Sequence, residues 1–472
     1  MSDPIQLAAD LYGGAVTLMP GGVQLRDPAK LRSPATDCLV WQAVFGDSGE
    51  REAARWLLWE LGQLSGVRPA SIHSLYLSRG RGDAGSGFTV PAINIRVMAY
   101  DTARAVFRAA KAGRAGAIIL EIARSEIAYT EQRPAEYVAV MIGAALREGY
   151  TLPLFIQGDH CQVNQKKYAV DPEGEIGEVK KLIAEELGAG FCNIDVDTST
   201  LVDLAQPTLM EQQRVNYERA AEITAFIRER EPDGVTVSVG AEIGEVGTKN
   251  STVEEVHAFM EGYTATLARL GPYEGISKIS VQTGTSHGGV VLPDGSIAEV
   301  KIDIQALAAL SKAAREQYGL AGAVQHGAST LPSNAFGNFP RVETAEIHLA
   351  TNFQNIVFDH PKLPAELRRR LKQWVNDNAA GERKAGDSEE QFYYKARKKA
   401  IGPFKREFWS LPEDVRGAIA ADLEKMFAFL FEQLNVNGTA ESVNTFVQAP
   451  MQHHAALTPA LVAAEDDPDA GE

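Results

Sequence analysis

The sequence predicts an α/β protein: a closed (β/α)8 barrel (TIM barrel) with extra N-terminal helices and a helical C-terminal extension. The first observation is that eight short apolar, β-rich runs alternate with helical segments between residues 87 and 353. The second is that four of these runs end on an acid or a histidine. A parallel barrel brings the C-terminal ends of its strands together at one mouth, so these side chains are expected to converge there.

The eight runs carry the pattern expected of buried parallel strands, with helical spacing between them. They lie at 87–97, 116–123, 152–161, 191–197, 235–244, 275–284, 321–327 and 345–353. The alternative architecture is an open doubly wound sheet. The first strand-to-helix turn lacks the GxGxxG motif that such sheets use for dinucleotides, so the pattern favours the barrel.

The predicted barrel spans residues 87–358 and has a segment on either side. Residues 1–86 are expected to form a loose arm over 1–35 and then helices at 48–65 and 71–82. Residues 359–450 form the helical C-terminal extension, and the acidic tail at 451–472 is expected to be disordered.

Composition narrows the class of protein. The 472-residue chain has 45% hydrophobic residues and a formal net charge of −16, without a long basic block, which argues against nucleic acid as a partner. No apolar run approaches the roughly 20 residues of a membrane helix, and the N-terminus does not resemble a signal peptide. The three cysteines, Cys38, Cys161 and Cys192, form no CxxC pair, which is typical of a reducing compartment. We therefore expect a cytoplasmic protein.

Three histidines stand at the ends of the third, sixth and seventh predicted strands: His160, His287 and His326. A single histidine at such a place is more often structural than a ligand, but three at one barrel mouth favour metal binding. With Glu242 at the end of another strand, they predict a divalent site of the Zn²⁺ type with an open position. Hydrolytic metal sites use similar ligands, so the ligand set leaves the reaction open.

Other residues at the predicted mouth allow two interpretations each. Asp159, beside His160, is either a proton-transfer carboxylate or a helix cap or partner of a histidine. The glycines near His287 and after His326, among them Gly288 and Gly327, either expose backbone N–H groups to an anion or form tight turns.

Taken together, these stretches resemble the class II, metal-dependent fructose-bisphosphate aldolase family. The matching motifs occur in family order over residues 87–356. They are VPAIN (90–94), GDHC (158–161), NIDVDTS (193–199), GAEIGEVG (240–247), GTSHGG (284–289), QHGAS (325–329) and HLATN (348–352).

The resemblance implies roles for residues and a reaction. It implies zinc ligands at His160, His287 and His326, a further metal ligand at Glu242, and Asp159 as the acid/base. Parts of the substrate, phosphate and monovalent-cation loops are implied at Asn94, Gly288, Gly327, Ser329 and Thr351. The implied enzyme cleaves a phosphorylated ketose reversibly to dihydroxyacetone phosphate and an aldehyde, within a homo-oligomer (dimer or tetramer).

The sequence also departs from the family pattern. The loop at 247–255 offers only Glu254 and Glu255, late, where a second acid/base is usual. The eighth strand offers His348, Ala350 and Asn352 where an asparagine and then an acid are usual. For a distal phosphate, Arg124 or the basic run at 395–399 could supply the cation. A non-catalytic metal-binding subunit and a metal-dependent hydrolase therefore remain as alternatives.

Overall fold

The computed structural model describes residues 3–244, 249–284, 292 and 302–455. Eight parallel strands close into a barrel in which each strand pairs with the next along the chain and the last pairs with the first. Closure excludes the open sheet and confirms the predicted (β/α)8 architecture. The barrel strands are β3 (Val90–Asn94), β4 (Ile119–Ala123), β5 (Phe155–Gln162), β6 (Asn193–Asp197), β7 (Ser238–Glu242), β8 (Lys278–Val281), β9 (Ala323–Gln325) and β10 (Glu346–Leu349).

Helices cover the outside of the barrel and extend it at both ends. Apart from short 3₁₀ turns, they are α1 (Pro4–Asp10), α2 (Pro34–Phe45), α3 (Ser48–Ser65), α4 (His73–Arg81), α5 (Ala99–Gly113), α6 (Arg124–Thr130), α7 (Pro134–Glu148), α8 (Gln165–Val170), α9 (Pro172–Ala189), α10 (Leu209–Arg228), α11 (Val253–Leu270), α12 (Ile304–Tyr318), α13 (Asn338–Arg341), α14 (Thr351–Asp359), α15 (Ala365–Asn378), α16 (Glu389–Ala396), α17 (Lys405–Trp409), α18 (Glu413–Gln433) and α19 (Ala440–Phe446).

The barrel strands are buried on both faces. Every residue of β3, β4, β6, β7 and β10 is buried, because helices cover the outer face and side chains fill the interior. The pairing of β10 with β3, in which Glu346 lies beside Val90, closes the ring.

The N-terminal region closes the end of the barrel opposite the mouth. Helix α4 places the Tyr76 hydroxyl against the Glu346 carboxylate at the start of β10. The buried Arg79 guanidinium donates to the carbonyls of Thr344 and Ala345, just before that strand. The predicted helix at 71–82 therefore seals the bottom of the barrel.

The loose arm predicted over residues 1–35 is wrong. Asp3 caps α1, and Val16–Met19 (β1) pairs antiparallel with Gly22–Leu25 (β2). Burial of Ala8, Ala9 and Tyr12 in the main core stabilises this short segment. Its glycines and prolines are turn and helix-start residues, which sequence composition alone does not separate from a disordered arm.

The C-terminal extension packs along the barrel through α18, which lies against α5. Arg416 pairs with Asp101 at 3.2 Å and Arg108 with Glu424 at 2.6 Å. Beyond α19 the chain returns to α3, where Trp59 donates to the Gln452 carbonyl and stacks on His454. The first residues of the tail expected to be disordered thus contact α3, and 456–472 lie outside the described residues. None of the described helices is long and apolar enough to cross a membrane.

Candidate metal centre at the barrel mouth

A β-bulge brings two consecutive side chains of β5 to the mouth. The pairing of β5 with β6 shifts register between Gly158 and Cys161. His160, within this bulge, has a φ of 44°, a left-handed conformation that is costly for a non-glycine residue. In a regular strand Asp159 and His160 would point to opposite faces, so the bulge is what places both at the site.

His160, Glu242 and His326 converge at the ends of β5, β7 and β9. One donor atom from each lies within 4.8 Å of the others. His326 Nε2 lies 3.9 Å from Glu242 Oε2, and the ring centroids of His160 and His326 are 4.2 Å apart. Two imidazoles and one carboxylate are a donor set that suits Zn²⁺, so these residues fit a divalent metal. The fourth predicted ligand, His287, lies outside the described residues.

Asp197 at the end of β6 orients His160. Its Oδ2 lies 3.1 Å from His160 Nδ1, and its Oδ1 accepts from the Ser199 hydroxyl and backbone. Metal-binding histidines commonly carry a carboxylate on the nitrogen that does not bind the metal. Asp197 therefore supports Nε2 as the coordinating atom of His160.

The charges at this cluster are strongly coupled. Burial alone would lower the pKa of His160, but the carboxylates of Asp159, Asp197 and Glu242 raise it to about 10. Burial and the neighbouring Asp197 raise the pKa of Glu242 well above its ordinary value. A metal cation would replace the proton that this arrangement otherwise retains on His160.

Asp159 is buried beside the metal-type cluster and has a different partner on each oxygen. Oδ2 accepts a 2.8 Å hydrogen bond from Asn94 Nδ2, and Oδ1 lies 3.2 Å from His348 Nδ1. Burial would raise the pKa of Asp159, but the charges of His160 and His348 hold it well below its ordinary value. The carboxylate is therefore ionised at neutral pH, the charge state that a general base needs.

Asn94, expected from the family motif to contact substrate, lies between two carboxylates. Its Nδ2 donates to Asp159 and, at 3.0 Å, to Glu126 at the start of α6. Arg96 in turn donates to Glu126 at 2.5 Å. In this structure Asn94 fixes the orientation of Asp159.

Sequence reasoning missed His348 and Glu121 as members of the site. The His348 ring stacks on His326 with centroids 4.0 Å apart, and its Nδ1 lies 2.9 Å from Glu121 Oε1. Burial and Asp159 raise the pKa of Glu121 to about 8. The sequence carried one signal for these residues, which is an acid or a histidine inside an otherwise apolar strand. Branched apolar side chains usually fill the interior of a barrel, so a polar residue there is unusual.

Below this layer, Lys278 occupies the barrel axis. Its ammonium lies 2.6 Å from Glu346 Oε1, 2.9 Å from Asp195 Oδ1 and 2.8 Å from Gln157 Oε1. These ion pairs offset the cost of burying the Lys278 ammonium. Because Lys278 pairs with Glu346 and Asp195, Glu121 and Asp159 contact other partners.

The late-strand loops are built from turns and helix starts. Gly327 has a φ of 69°, and the Ser329 hydroxyl accepts from the Ala350 backbone N–H at 2.5 Å. This bond ties the loop after β9 to the start of α14, whose first residue is Thr351. The predicted anion-binding residue Gly288 lies outside the described residues.

Most of the candidate cations for a distal phosphate are already paired. Arg124 lies 2.6 Å from Glu175, Lys395 2.6 Å from Asp387, and the buried Arg397 2.5 Å from Asp359. Lys398 differs, since none of the described carboxylates lies within 4.0 Å of its ammonium, which sits 5.5 Å over the Tyr129 ring of α6. Burial and the nearby Arg96 lower its pKa.

The acids at the end of the 247–255 loop serve the next helix. Thr252 and Glu255 form a capping box at the start of α11, and Lys249 pairs with Glu255 at 2.6 Å. Glu254 occupies the same first turn. Residues 245–248 lie outside the described residues.

The fold and the convergent ligands define a (β/α)8 protein with a mouth suited to a divalent metal. A model of the class-II fructose-bisphosphate aldolase family matches residues 84–405, and the chain belongs to this family. No curated protein sequence matches the chain with significance.

Two solved structures with TM-scores of 0.52 and 0.50 agree with the barrel at low sequence identity. A probable tagatose 6 phosphate kinase from Sinorhizobium meliloti 1021 is 14% identical over 76% of this chain and 99% of its own, with a TM-score of 0.52. The fructuronate-tagaturonate epimerase UxaE from Cohnella laeviribosi is 15% identical over 74% and 82%, with a TM-score of 0.50. A fructose-bisphosphate aldolase from Campylobacter jejuni is 18% identical over 79% and 98%, with a TM-score of 0.46.

Proposed function

We propose that this protein is a zinc-dependent class II aldolase that cleaves a phosphorylated ketose reversibly into dihydroxyacetone phosphate and an aldehyde. The observation that carries the proposal is a buried, ionised carboxylate, Asp159, beside a metal-type cluster of two histidines and a glutamate. Retro-aldol cleavage needs both parts: a base for the hydroxyl proton and an electrophile for the charge left on the ketose fragment.

In this proposal His160, His326 and Glu242 hold the metal, together with His287. Bound there, Zn²⁺ would polarise the ketose carbonyl and stabilise the negative charge that develops on the fragment during cleavage. Asp197 orients His160 and keeps its coordinating nitrogen toward the site.

Asp159 takes the proton of the C4 hydroxyl. As that proton leaves, the C4–O bond gains carbonyl character, the C3–C4 bond breaks, and its electron pair stays with C3 of the dihydroxyacetone phosphate fragment. In the reverse direction Asp159 returns the proton to the new hydroxyl. Asn94 holds Oδ2 in place through the 2.8 Å hydrogen bond.

The phosphate of the ketose is assigned to the backbone N–H groups of the late-strand loops. Gly327 and Ser329 shape one loop, and Thr351 opens the helix that the Ser329 hydroxyl holds in place. Helix starts and glycine loops bind anions through such groups. Lys398 is the cation assigned to a second anionic group, because its neighbours in the basic run are engaged in ion pairs.

The proposal extends to the whole chain. It divides the chain into N-terminal helices (1–86), barrel (87–358), C-terminal extension (359–450) and acidic tail (451–472). It also places the protein in the cytoplasm as a dimer or tetramer. The three cysteines, Cys38, Cys161 and Cys192, form no CxxC pair, a pattern typical of a reducing compartment.

A substrate panel tests the reaction. Purified protein is given a ketose 1,6-bisphosphate, a ketose 1-phosphate and the neutral ketose, and triose phosphate and inorganic phosphate are both measured, with and without chelator. The proposal expects chelator-sensitive triose phosphate from a phosphorylated ketose. Inorganic phosphate alone would indicate a metal-dependent hydrolase. Bound metal without either product would indicate a non-catalytic subunit.

A further inference from the structure

A second group of donor atoms lies next to the proposed zinc site, on the other side of Asp159. His348 Nδ1 lies 2.9 Å from Glu121 Oε1 and 3.2 Å from Asp159 Oδ1. Donors bound to one ion at about 2.1 Å lie roughly 3.0–3.4 Å apart in octahedral or tetrahedral geometry. One atom from each of these residues, and one from Asp195, also falls within a common span of 4.8 Å.

These three atoms are buried, and no hydrogen bond joins any of them to a group outside their own cluster among the described residues. Glu121 Oε1, Asp159 Oδ1 and His348 Nδ1 are all in this position, and their residues are 0%, 4% and 5% exposed. Buried polar atoms are almost always satisfied, and an unmatched group usually marks an ion, a water or a functional role. Three such atoms aimed at one another point to a shared cation.

The charge around the barrel axis supports the same conclusion. Lys278 neutralises Glu346 and Asp195 from below. Within the described part of the chain, the close partners of Glu121 and Asp159 apart from the first metal cluster are two neutral amides, Gln157 and Asn94, and His348. A cation held between Glu121 and Asp159 would offset the cost of burying two carboxylates so close together.

The opposite nitrogen of His348 is held as in a metal-binding histidine. His348 Nε2 lies 2.9 Å from Glu346 Oε1, on the side away from Glu121 and Asp159. His160 shows the same arrangement with Asp197. A carboxylate behind the ring favours the tautomer whose other nitrogen binds a metal.

We propose that Glu121, Asp159 and His348 form a second divalent-metal position, adjacent to the one formed by His160, Glu242 and His326. Two carboxylate oxygens and one imidazole nitrogen suit Mn²⁺ or Zn²⁺. Asp159 then serves the second ion with Oδ1, while Oδ2 keeps its hydrogen bond to Asn94. Metal occupancy can be measured without any turnover, so the proposal stands or falls independently of the aldolase reaction.

Metal stoichiometry tests it. The full-length protein is stripped with chelator and taken to equilibrium dialysis against Mn²⁺, and bound metal is counted per chain by atomic emission. Wild type is expected to bind two ions. Glu121→Gln and His348→Gln should each bind one, His160→Gln should bind one, and the His160→Gln, Glu121→Gln double variant should bind none.

Glu186→Gln is the matched control. It removes a buried carboxyl of the same barrel that touches Cys161 and neither metal group, so it should still bind two ions. Cooperative thermal unfolding of every variant verifies folding. One ion per wild-type chain, or two ions in Glu121→Gln and His348→Gln, would overturn the proposal and assign the positive charge near Glu121 to a protonated His348.

Discussion

The mouth of the barrel has two arcs of polar side chains that differ in where these side chains lie along the strands. The first arc carries His160, Glu242 and His326, which lie near or just after the ends of β5, β7 and β9. The second arc, on β3, β4 and β10, carries Asn94, Glu121 and His348, and both Glu121 and His348 lie within their strands. Side chains at strand ends can be found from the sequence, whereas those within strands need the closed barrel.

Asp159 joins the two arcs, so its replacement gives the largest expected effect. Asp159→Asn keeps the shape and the contact with Asn94 but removes the base, and turnover should fall by roughly 10²–10⁴-fold. The first metal position should remain filled, because none of its three described ligands changes. Steady-state kinetics with metal analysis measures both, and unchanged turnover would remove Asp159 from the mechanism.

A buried carboxyl outside both arcs should control stability rather than catalysis. Burial raises the pKa of Glu186 from its ordinary value of 4.5 to about 8 in the folded protein. The folded protein therefore keeps the carboxyl proton over a pH range in which the unfolded chain has released it. The contribution of Glu186 to the free energy of unfolding is therefore fully present below pH ~4.5. It falls by up to about 1.4 kcal/mol per pH unit as pH rises toward 8.

Glu186→Gln removes this ionisation. Denaturant unfolding at pH 5 and pH 8 should show a smaller loss of stability for the variant than for wild type, with turnover unchanged. Equal pH dependence in the two proteins would contradict the assignment.

Replacement of Lys398 tests whether the C-terminal extension contributes a cation to substrate binding. Lys398→Met removes a charge-assisted contact to substrate worth about 1.5–3 kcal/mol, so KM for a bisphosphate should rise on the order of 10-fold or more. Lys395→Met is the control, because Asp387 already pairs with Lys395. If the two variants behave alike, Lys398 has no special role at the site.

Ser329 should give the smallest effect. Its hydroxyl holds the Ala350 N–H at the start of α14, and loss of one neutral hydrogen bond costs about 1 kcal/mol. Ser329→Ala should therefore weaken binding of dihydroxyacetone phosphate about 5-fold, measured by calorimetry. A neutral triose should bind the variant and wild type equally. If the substitution weakens binding of the neutral triose as much as binding of dihydroxyacetone phosphate, the loop does not recognise phosphate.

The two arcs also mark how far the sequence could predict the site. Eight strands and the positions of Asp159, His160, Glu242 and His326 follow from apolar periodicity and from side chains at strand ends. Glu121 and His348 were not predicted because they lie within strands. Only the closed barrel shows which residues of a strand face the axis. The pairing of β10 with β3 brings them together across more than 200 residues of sequence.

Local backbone geometry and tertiary pairing are a second reason why the sequence did not predict the whole site. The positive φ of His160 and its bulge turn two successive side chains to one place, against the alternation that a strand pattern predicts. The basic run at 395–399 looked uniform in sequence, yet the fold pairs Lys395 and Arg397 with Asp387 and Asp359 and leaves Lys398 over Tyr129. Such pairing depends on tertiary contacts between distant elements.

The central claim is that carbon–carbon bond cleavage depends on a divalent metal at the first arc. The most direct measurement is triose phosphate release by metal-stripped protein during titration with Zn²⁺, alongside His326→Gln. The account predicts negligible turnover without metal, recovery as Zn²⁺ is added back to wild type, and no recovery in His326→Gln. Full turnover by the stripped protein, or full recovery in His326→Gln, would contradict it.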